Sequence, residues 1–278
     1  MPLVMSVVAL KGGVGKSTVA LNVGSCLHRS GHRTLLVDAD VQGTLRAWAA
    51  TGAQAGCDGP PVIGLDGPAL RRDLERVASG FEVAIIDGPP RLGAETRAAM
   101  LVSDFVLIPV TPGAADVWAL SETLALLEDA RSIRPEIVAG IVLNRADRTT
   151  LATLTKKAIG DMSIPLLGAS FGARVVYGEA TLSGKSVVNY APESPARLEV
   201  EAVTAALLRS MGGIDGSQER RVGEGVFPTS DSETDGNTRR GGPPVPPGKT
   251  GREGGQRAAA VPATPDGEWR ARGDLPTA

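Results

Sequence analysis

The chain is poor in the residues that build disulfide frameworks and metal centres. Its 278 residues include two cysteines, Cys26 and Cys57, and two histidines, His28 and His32. The cysteines lie far apart and form no C-x-x-C pair, which argues against a disulfide framework and against a cysteine-held metal or iron–sulfur site. The histidines flank the end of the first helical segment, where an imidazole suits a helix C-terminus. They read as surface residues rather than ligands. No excess of one charge exists either: the net charge is −2, so no global basic field announces nucleic acid, and only a local patch would serve it. No apolar run reaches the ~18 residues needed to span a bilayer. Met1 to Leu10 carries no charged n-region or cleavage signal. The expectation is a cytoplasmic protein.

Glycine, in contrast, is abundant and placed with purpose. Lys11-Gly12-Gly13-Val14-Gly15-Lys16-Ser17-Thr18 follows an apolar segment, Val4 to Leu10, that reads as a buried strand, and precedes Val19 to Leu27, which reads as a helix. Strand, glycine loop and helix in that order make a phosphate cradle, because backbone N–H groups of the loop and of the helix N-terminus converge on an anion. Lys16 then reaches the terminal phosphates and the Ser17 hydroxyl is placed for Mg²⁺. The usual G-x-x-x-x-G-K-[ST] pattern needs Gly where this chain has Leu10, and a second lysine, Lys11, opens the loop. A further Gly-Lys-Ser, at 184–186, has no clear buried strand before it and Val187-Val188 after it. It reads as an ordinary loop.

Up to residue 211 the chain alternates apolar strands with amphipathic helices. Strands are expected at Thr34 to Val37, ending in Asp38; Val83 to Ile86, ending in Asp87; Phe105 to Val110; Ile137 to Leu143; and Pro165 to Leu167. Helices are expected at Leu70 to Val77, Val117 to Ala130, Leu151 to Ile159 and Ala196 to Met211, the last with Leu198, Val203, Leu207 and Met211 on its apolar side. Acidic residues and no aromatic make that last helix one that packs on the sheet rather than on a membrane surface. The fold class is α/β: a P-loop NTPase with a mostly parallel, doubly wound sheet and helices on both faces. From Gly212 to Ala278 the composition shifts to Gly, Pro, Ser, Thr and mixed charge without apolar period, which reads as a disordered tail. The expected organisation is an ATPase domain over 1–211 and a tail over 212–278.

Ligands of such sheets bind at the carboxyl ends of the strands. The glycine loop, Asp38, Asp40 and Asp87 all fall at such ends. A carboxylate there, facing a phosphate loop, binds Mg²⁺ or its waters. Asp38 and Asp40, spaced i, i+2, point to the same side, so Asp38 can serve the metal shell while Asp40 orients a water toward the γ-phosphate. Lys156, Lys157, Arg174, Lys185 and Arg197 are candidates for a basic strip that would contact DNA phosphates without reading sequence.

These residues carry a family resemblance. Lys11 to Thr18 resembles the deviant Walker A motif of the ParA/MinD superfamily, Leu36-Val37-Asp38-Ala39-Asp40-Val41-Gln42 its Walker A′ motif, and Ile85-Ile86-Asp87-Gly88-Pro89-Pro90 its Walker B motif. The strand ending Ile108-Pro109-Val110-Thr111-Pro112, together with Trp48 after the A′ motif, is similar to the short, ParF-like partition proteins. The resemblance covers roughly residues 4 to 210 and departs from the family at Val41, where Pro is usual. It implies an ATPase switch with ATP and Mg²⁺ as cofactors. Gly12, Gly13, Val14, Gly15, Lys16, Ser17, Thr18 and Asn144 would bind nucleotide, Asn144 at the adenine. Ser17, Asp38 and Asp87 would serve Mg²⁺. Lys11, Lys16 and Asp40 would be catalytic, with Lys11 reaching across an ATP-dependent homodimer. It further implies non-specific DNA binding, a ParB/ParG-like centromere-binding partner, plasmid or chromosome partition, and a nucleoid-associated location without membrane contact. The rival readings are a ParA-like or MinD-like ATPase that positions another cargo, and an ATP-dependent ligase of the dethiobiotin synthetase type, which Lys11 disfavours.

Overall fold

The computed structural model describes residues 1–89, 93–147 and 149–212. In chain order the elements are β1 (Leu3–Val7), α1 (Lys16–Arg29), β2 (Thr34–Asp38), α2 (Thr44–Gln54), β3 (Val62–Gly64), α3 (Gly67–Ala78), β4 (Val83–Asp87), α4 (Ala94–Leu101), β5 (Phe105–Val110), α5 (Ala114–Arg131), β6 (Val138–Leu143), α6 (Thr150–Gly160), β7 (Leu166–Ser170), α7 (Val175–Leu182), α8 (Val187–Tyr190) and α9 (Pro195–Gly212). Every strand pair is parallel, and the order across the seven-stranded sheet is β3-β2-β4-β1-β5-β6-β7.

Near-continuous apolar strands require cover on both faces, and two apolar clusters supply it. Side chains alternate along each strand, so Met5, Val7 and Ile85 face one way and Val4, Ala84 and Ile86 the other. The first face packs on α1, α2, α7, α8 and α9 through residues such as Leu27, Trp48, Val188 and Leu207. The second packs on α3, α4, α5 and α6 through Leu74, Met100, Leu127 and Ile159. The chain leaves β1 toward β2 by way of α1 on one face, and leaves β4 for β5 by way of α4 on the other. From β5, the other neighbour of β1, the chain moves the opposite way, to β6 by way of α5, so the connections diverge at the β1–β5 boundary, where such sheets open a crevice at their carboxyl edge.

Several boundaries depart from the sequence expectation. β1 ends at Val7, not Leu10: Val8 N–H still reaches Leu107 O at 3.0 Å, but the chain then turns into the glycine loop. β7 runs on to Ser170. The edge strand β3 has only three residues, too few to show a period in sequence. In α9 the buried face is Ala196, Val200, Val203, Leu207 and Met211, whereas Leu198 is 57% exposed. Leu198 stands five residues from Val203, and that spacing rotates it off the stripe. His32 is half-buried, with its Nε2 sealed from solvent and without a hydrogen-bond partner among the described residues, so it is less of a surface residue than expected. Gly184-Lys185 closes α7 rather than forming a cradle, with Lys185 N–H on Ala180 O at 2.9 Å. The expected tail from 213 onward and Pro90 of the Walker B resemblance lie outside the described residues.

Candidate nucleotide site

The glycine loop joins β1 to α1. Gly13 and Gly15 have φ of 77° and 91°, a left-handed region that side-chain-bearing residues avoid. Gly15 is the N-cap of α1, and its carbonyl accepts the first helical bond from Val19 N–H at 2.9 Å. No acidic side chain occupies the first turn of α1, so the positive end of its dipole is left for an outside anion. A Cβ at Gly12 or Gly13 would meet nothing, which marks open space over the loop. Val14, by contrast, is buried and anchors the loop.

Asn144, at the carboxyl end of β6, clamps this loop from the side. Its Nδ2 donates to Val14 O at 2.7 Å, and its Oδ1 accepts from Arg145 N–H at 3.0 Å. A Cβ on Gly15 would collide with Asn144 Nδ2. The carboxamide expected at an adenine therefore has a loop-holding bond of its own.

The three carboxylates take distinct positions. Asp38 and Asp87 end β2 and β4 in direct register, and Val7 of β1 pairs with Asp87 on its other side. Asp38 is buried and organises the A′ turn: Oδ1 accepts from Asp40 N–H at 3.2 Å and Oδ2 from Arg46 N–H at 3.0 Å. Asp40 is half-buried and accepts from Gln42 N–H at 3.0 Å. Asp87 is fully buried, and among the described residues neither of its oxygens meets a donor in full hydrogen-bond geometry, although the Ser17 hydroxyl lies close by. Burial raises its pKa to about 7; the nearby Ser17 hydroxyl and Lys16 lower it, and the Asp38 and Asp40 charges raise it. Lys16 is itself buried, which lowers its pKa, while Asp87 and Asp40 pull it back up. The glycine loop and the strand-end acids thus meet at Lys16 and Ser17. Orphaned buried carboxylate oxygens beside a serine hydroxyl are the donor set a hard divalent cation takes, so the residues present fit Mg²⁺.

Lys11 is not directed outward as a free cation. Its Nζ pairs with Asp116 Oδ2 of α5 at 2.7 Å. Asp116 and Thr111, whose hydroxyl donates to Asp116 Oδ1 at 2.7 Å, carry no motif that singles them out in sequence. The available signal is an acid in the first turn after a Thr-Pro-Gly strand end. The expected basic strip is also reduced: Arg174 pairs with Glu199 and Arg197 with Glu201.

A buried strand, a glycine cradle capping a helix, a cradle lysine and strand-end carboxylates on a parallel sheet define a P-loop nucleotide-binding protein. The chain belongs to the CobQ/CobB/MinD/ParA nucleotide binding domain family, whose description it matches over residues 5–187. It is 35% identical over 185 residues to maintenance of carboxysome distribution protein A of Halothiobacillus neapolitanus, covering 66% of this chain and 85% of that protein. It is 29% identical over 225 residues to the chromosome-partitioning ATPase Soj of Thermus thermophilus, covering 66% and 87%. Among solved structures, the septum site-determining protein MinD of Pyrococcus horikoshii, complexed with Mg-ADP, superposes with a TM-score of 0.63 at 22% identity, over 77% of this chain and 99% of that one. ATP and Mg²⁺ are the cofactors of this family. Among the described residues no helix is long and apolar enough to cross a membrane.

Proposed function

We propose that the chain is an ATP-hydrolysing switch that dimerises on ATP, binds DNA without sequence preference and uses the cycle to position a cargo. The observation that carries this reading is Lys11: a second lysine, 40% exposed, at the mouth of a loop that already has Lys16 for its own phosphates. A lysine so placed, half exposed and followed by the open Gly12 and Gly13, can serve the phosphates of a second subunit, as the family resemblance implies.

In this reading the N–H groups of Gly12, Gly13, Val14, Gly15, Lys16, Ser17 and Thr18 wrap the phosphates, and Lys16 neutralises the β/γ oxygens. Ser17, Asp87 and Asp38 would hold Mg²⁺, which would supply positive charge to neutralise what develops on the phosphates. Asp40, which accepts the Gln42 N–H and has no ion pair among the described residues, orients the attacking water. Asn144 keeps the loop in shape and borders the base. The domain is residues 1–211, and the rest of the chain is an appendage to it.

The leading cargo is DNA, with a ParB/ParG-like centromere-binding partner and a nucleoid-associated location in the cytoplasm. Lys156, Lys157 and Lys185 are the basic candidates left for phosphate contact. A second reading, positioning of a protein assembly, is favoured by the relative named for carboxysome distribution. The test is co-sedimentation with non-specific duplex DNA under Mg-ATP and Mg-ADP, followed by ATPase assays with purified candidate partners. ATP-selective, salt-sensitive DNA retention is expected. Equal retention with ADP, or none, contradicts the switch. Stimulation by a centromere-binding protein favours partition, and stimulation only by a cargo-associated protein favours the second reading.

A further inference from the structure

We propose that Asp116 is a latch for Lys11, holding its ammonium inside its own subunit so that pairing of two copies over ATP requires this ion pair to open. The inference rests on the cross-subunit reading of Lys11 and deepens it by naming the residue that competes for that lysine.

The two partners are built unequally. Asp116 has a side chain only 9% exposed, against 40% for Lys11. It lies in the first turn of α5, where the helix dipole favours a carboxylate. Its Oδ1 is held by the Thr111 hydroxyl, leaving Oδ2 for Lys11. The acceptor is therefore oriented by its own helix and strand end and does not depend on Lys11 for its position. Gly113 makes room for it, since a Cβ there would stand 3.2 Å from Asp116 Oδ2. Lys11, in contrast, has a flexible stem and is followed by Gly12 and Gly13, whose surroundings are open. Opening the pair moves the lysine and leaves the carboxylate where it is.

Phosphate and carboxylate compete for one ammonium. A charge-assisted bond to a carboxylate that is mostly shielded from water is stronger than an exposed pair, so the latched form dominates until a nucleotide in a second copy offers more charge. The apparent affinity of a protein for its partner falls with the fraction in the competent form. Both copies must open, so the effect enters twice. A latch that holds Lys11 closed about nine-tenths of the time weakens dimerisation about tenfold per subunit, roughly 1.4 kcal/mol each.

The test is sedimentation over a protein dilution series with Mg²⁺ and a non-hydrolysable ATP analogue, on the full chain. Wild type, Asp116→Asn and Thr111→Val are compared, and analogue affinity is measured separately at low protein concentration. Asn keeps the shape and the Thr111 bond and removes the charge. The expected result is an Asp116→Asn dimer about tenfold to a hundredfold tighter, at analogue affinity unchanged within about twofold. Thr111→Val, which frees the carboxylate to turn, should shift dimerisation in the same direction by less, and decides the matter if Asp116→Asn does not fold. Wild type that dimerises together with variants that dimerise equally or more weakly overturns the latch alone. Wild type that stays monomeric at every concentration overturns the dimer reading, and the latch with it.

Discussion

Asp38 and Asp87 stand side by side on neighbouring parallel strands, in register at the carboxyl edge of the sheet, yet only one of them is satisfied. Asp38 accepts from the N–H groups of Asp40 and Arg46, while Asp87 is sealed from solvent and, among the described residues, has only the Ser17 hydroxyl near its oxygens. A folded protein rarely leaves a buried carboxylate unpaired, because the desolvation is uncompensated. The asymmetry separates their work: Asp38 shapes the A′ turn that carries Asp40 and keeps its remaining lone pairs for the metal shell, while Asp87 is left wholly for the ligand. Lys16 and Ser17 face the same point from the head of α1.

Lys16→Ala should remove tight ATP binding, because the Lys16 charge is the one the loop aims at the phosphates and also offsets Asp87 and Asp40. Calorimetry should show affinity lower by about a hundredfold or more, the loss expected of a buried charge-assisted contact. Unchanged affinity would refute the cradle assignment.

Asp40→Ala should bind ATP almost normally and hydrolyse it about a hundredfold more slowly, the scale of a lost water-positioning group. Among the described residues the Asp40 side chain accepts only the Gln42 N–H, so the fold should tolerate the change. Light scattering should show an ATP dimer that persists. Normal turnover would remove Asp40 from the mechanism.

Gly15→Ala should be among the most damaging single-methyl additions in the chain. The residue is left-handed, and the new Cβ would run into Asn144 Nδ2; strain alone costs about 1–3 kcal/mol. Asn144→Ala should cost about 1–3 kcal/mol by stranding the Val14 carbonyl, and should weaken ATP and GTP alike. If thermal melts show no loss of stability and only ATP-over-GTP preference falls, Asn144 acts at the base and not on the loop.

Glu199→Gln should destabilise the packing of α9 in a pH-dependent way. Burial opposes ionisation of Glu199, but bonds from Arg174, the Gly172 N–H and Tyr177 outweigh it and hold its pKa below 4.5. A depressed carboxylate contributes stability above its unfolded pKa and loses it as pH falls through the folded value. The difference from wild type, about 1–2 kcal/mol, should be full at neutral pH and shrink below pH 4.5. A difference independent of pH would mean that shape, not charge, is what Glu199 supplies.

Much of this was legible because it is written in short-range pattern. The glycine loop between an apolar strand and a helix, and acids closing Thr34–Asp38 and Val83–Asp87, are local signals of a parallel sheet and its ligand edge. What was not legible depends on distance. Asp116 lies 105 residues from Lys11, and nothing local distinguishes it from any first-turn acid. The Asn144 clamp spans 130 residues. Arg174 and Arg197 read as free cations until α9 brings Glu199 and Glu201 beside them. Leu198 is a different case: its five-residue distance from Val203 already sets it off the Val200–Val203–Leu207 stripe, so placing it in the core misreads the period rather than missing a distant contact.

The cross-subunit role of Lys11 is tested most directly by complementation. Lys11→Ala and Lys16→Ala are each expected to be inactive as ATPases, and a mixed dimer has one site in which an intact Lys16 loop faces an intact Lys11. Hydrolysis should be measured for each variant alone and across mixing ratios, with heterodimer formation checked by cross-linking. The account predicts that activity returns in the mixture and peaks near equal amounts. Folded variants that form heterodimers and recover no activity, or a Lys11→Ala protein that hydrolyses ATP normally by itself, would contradict it.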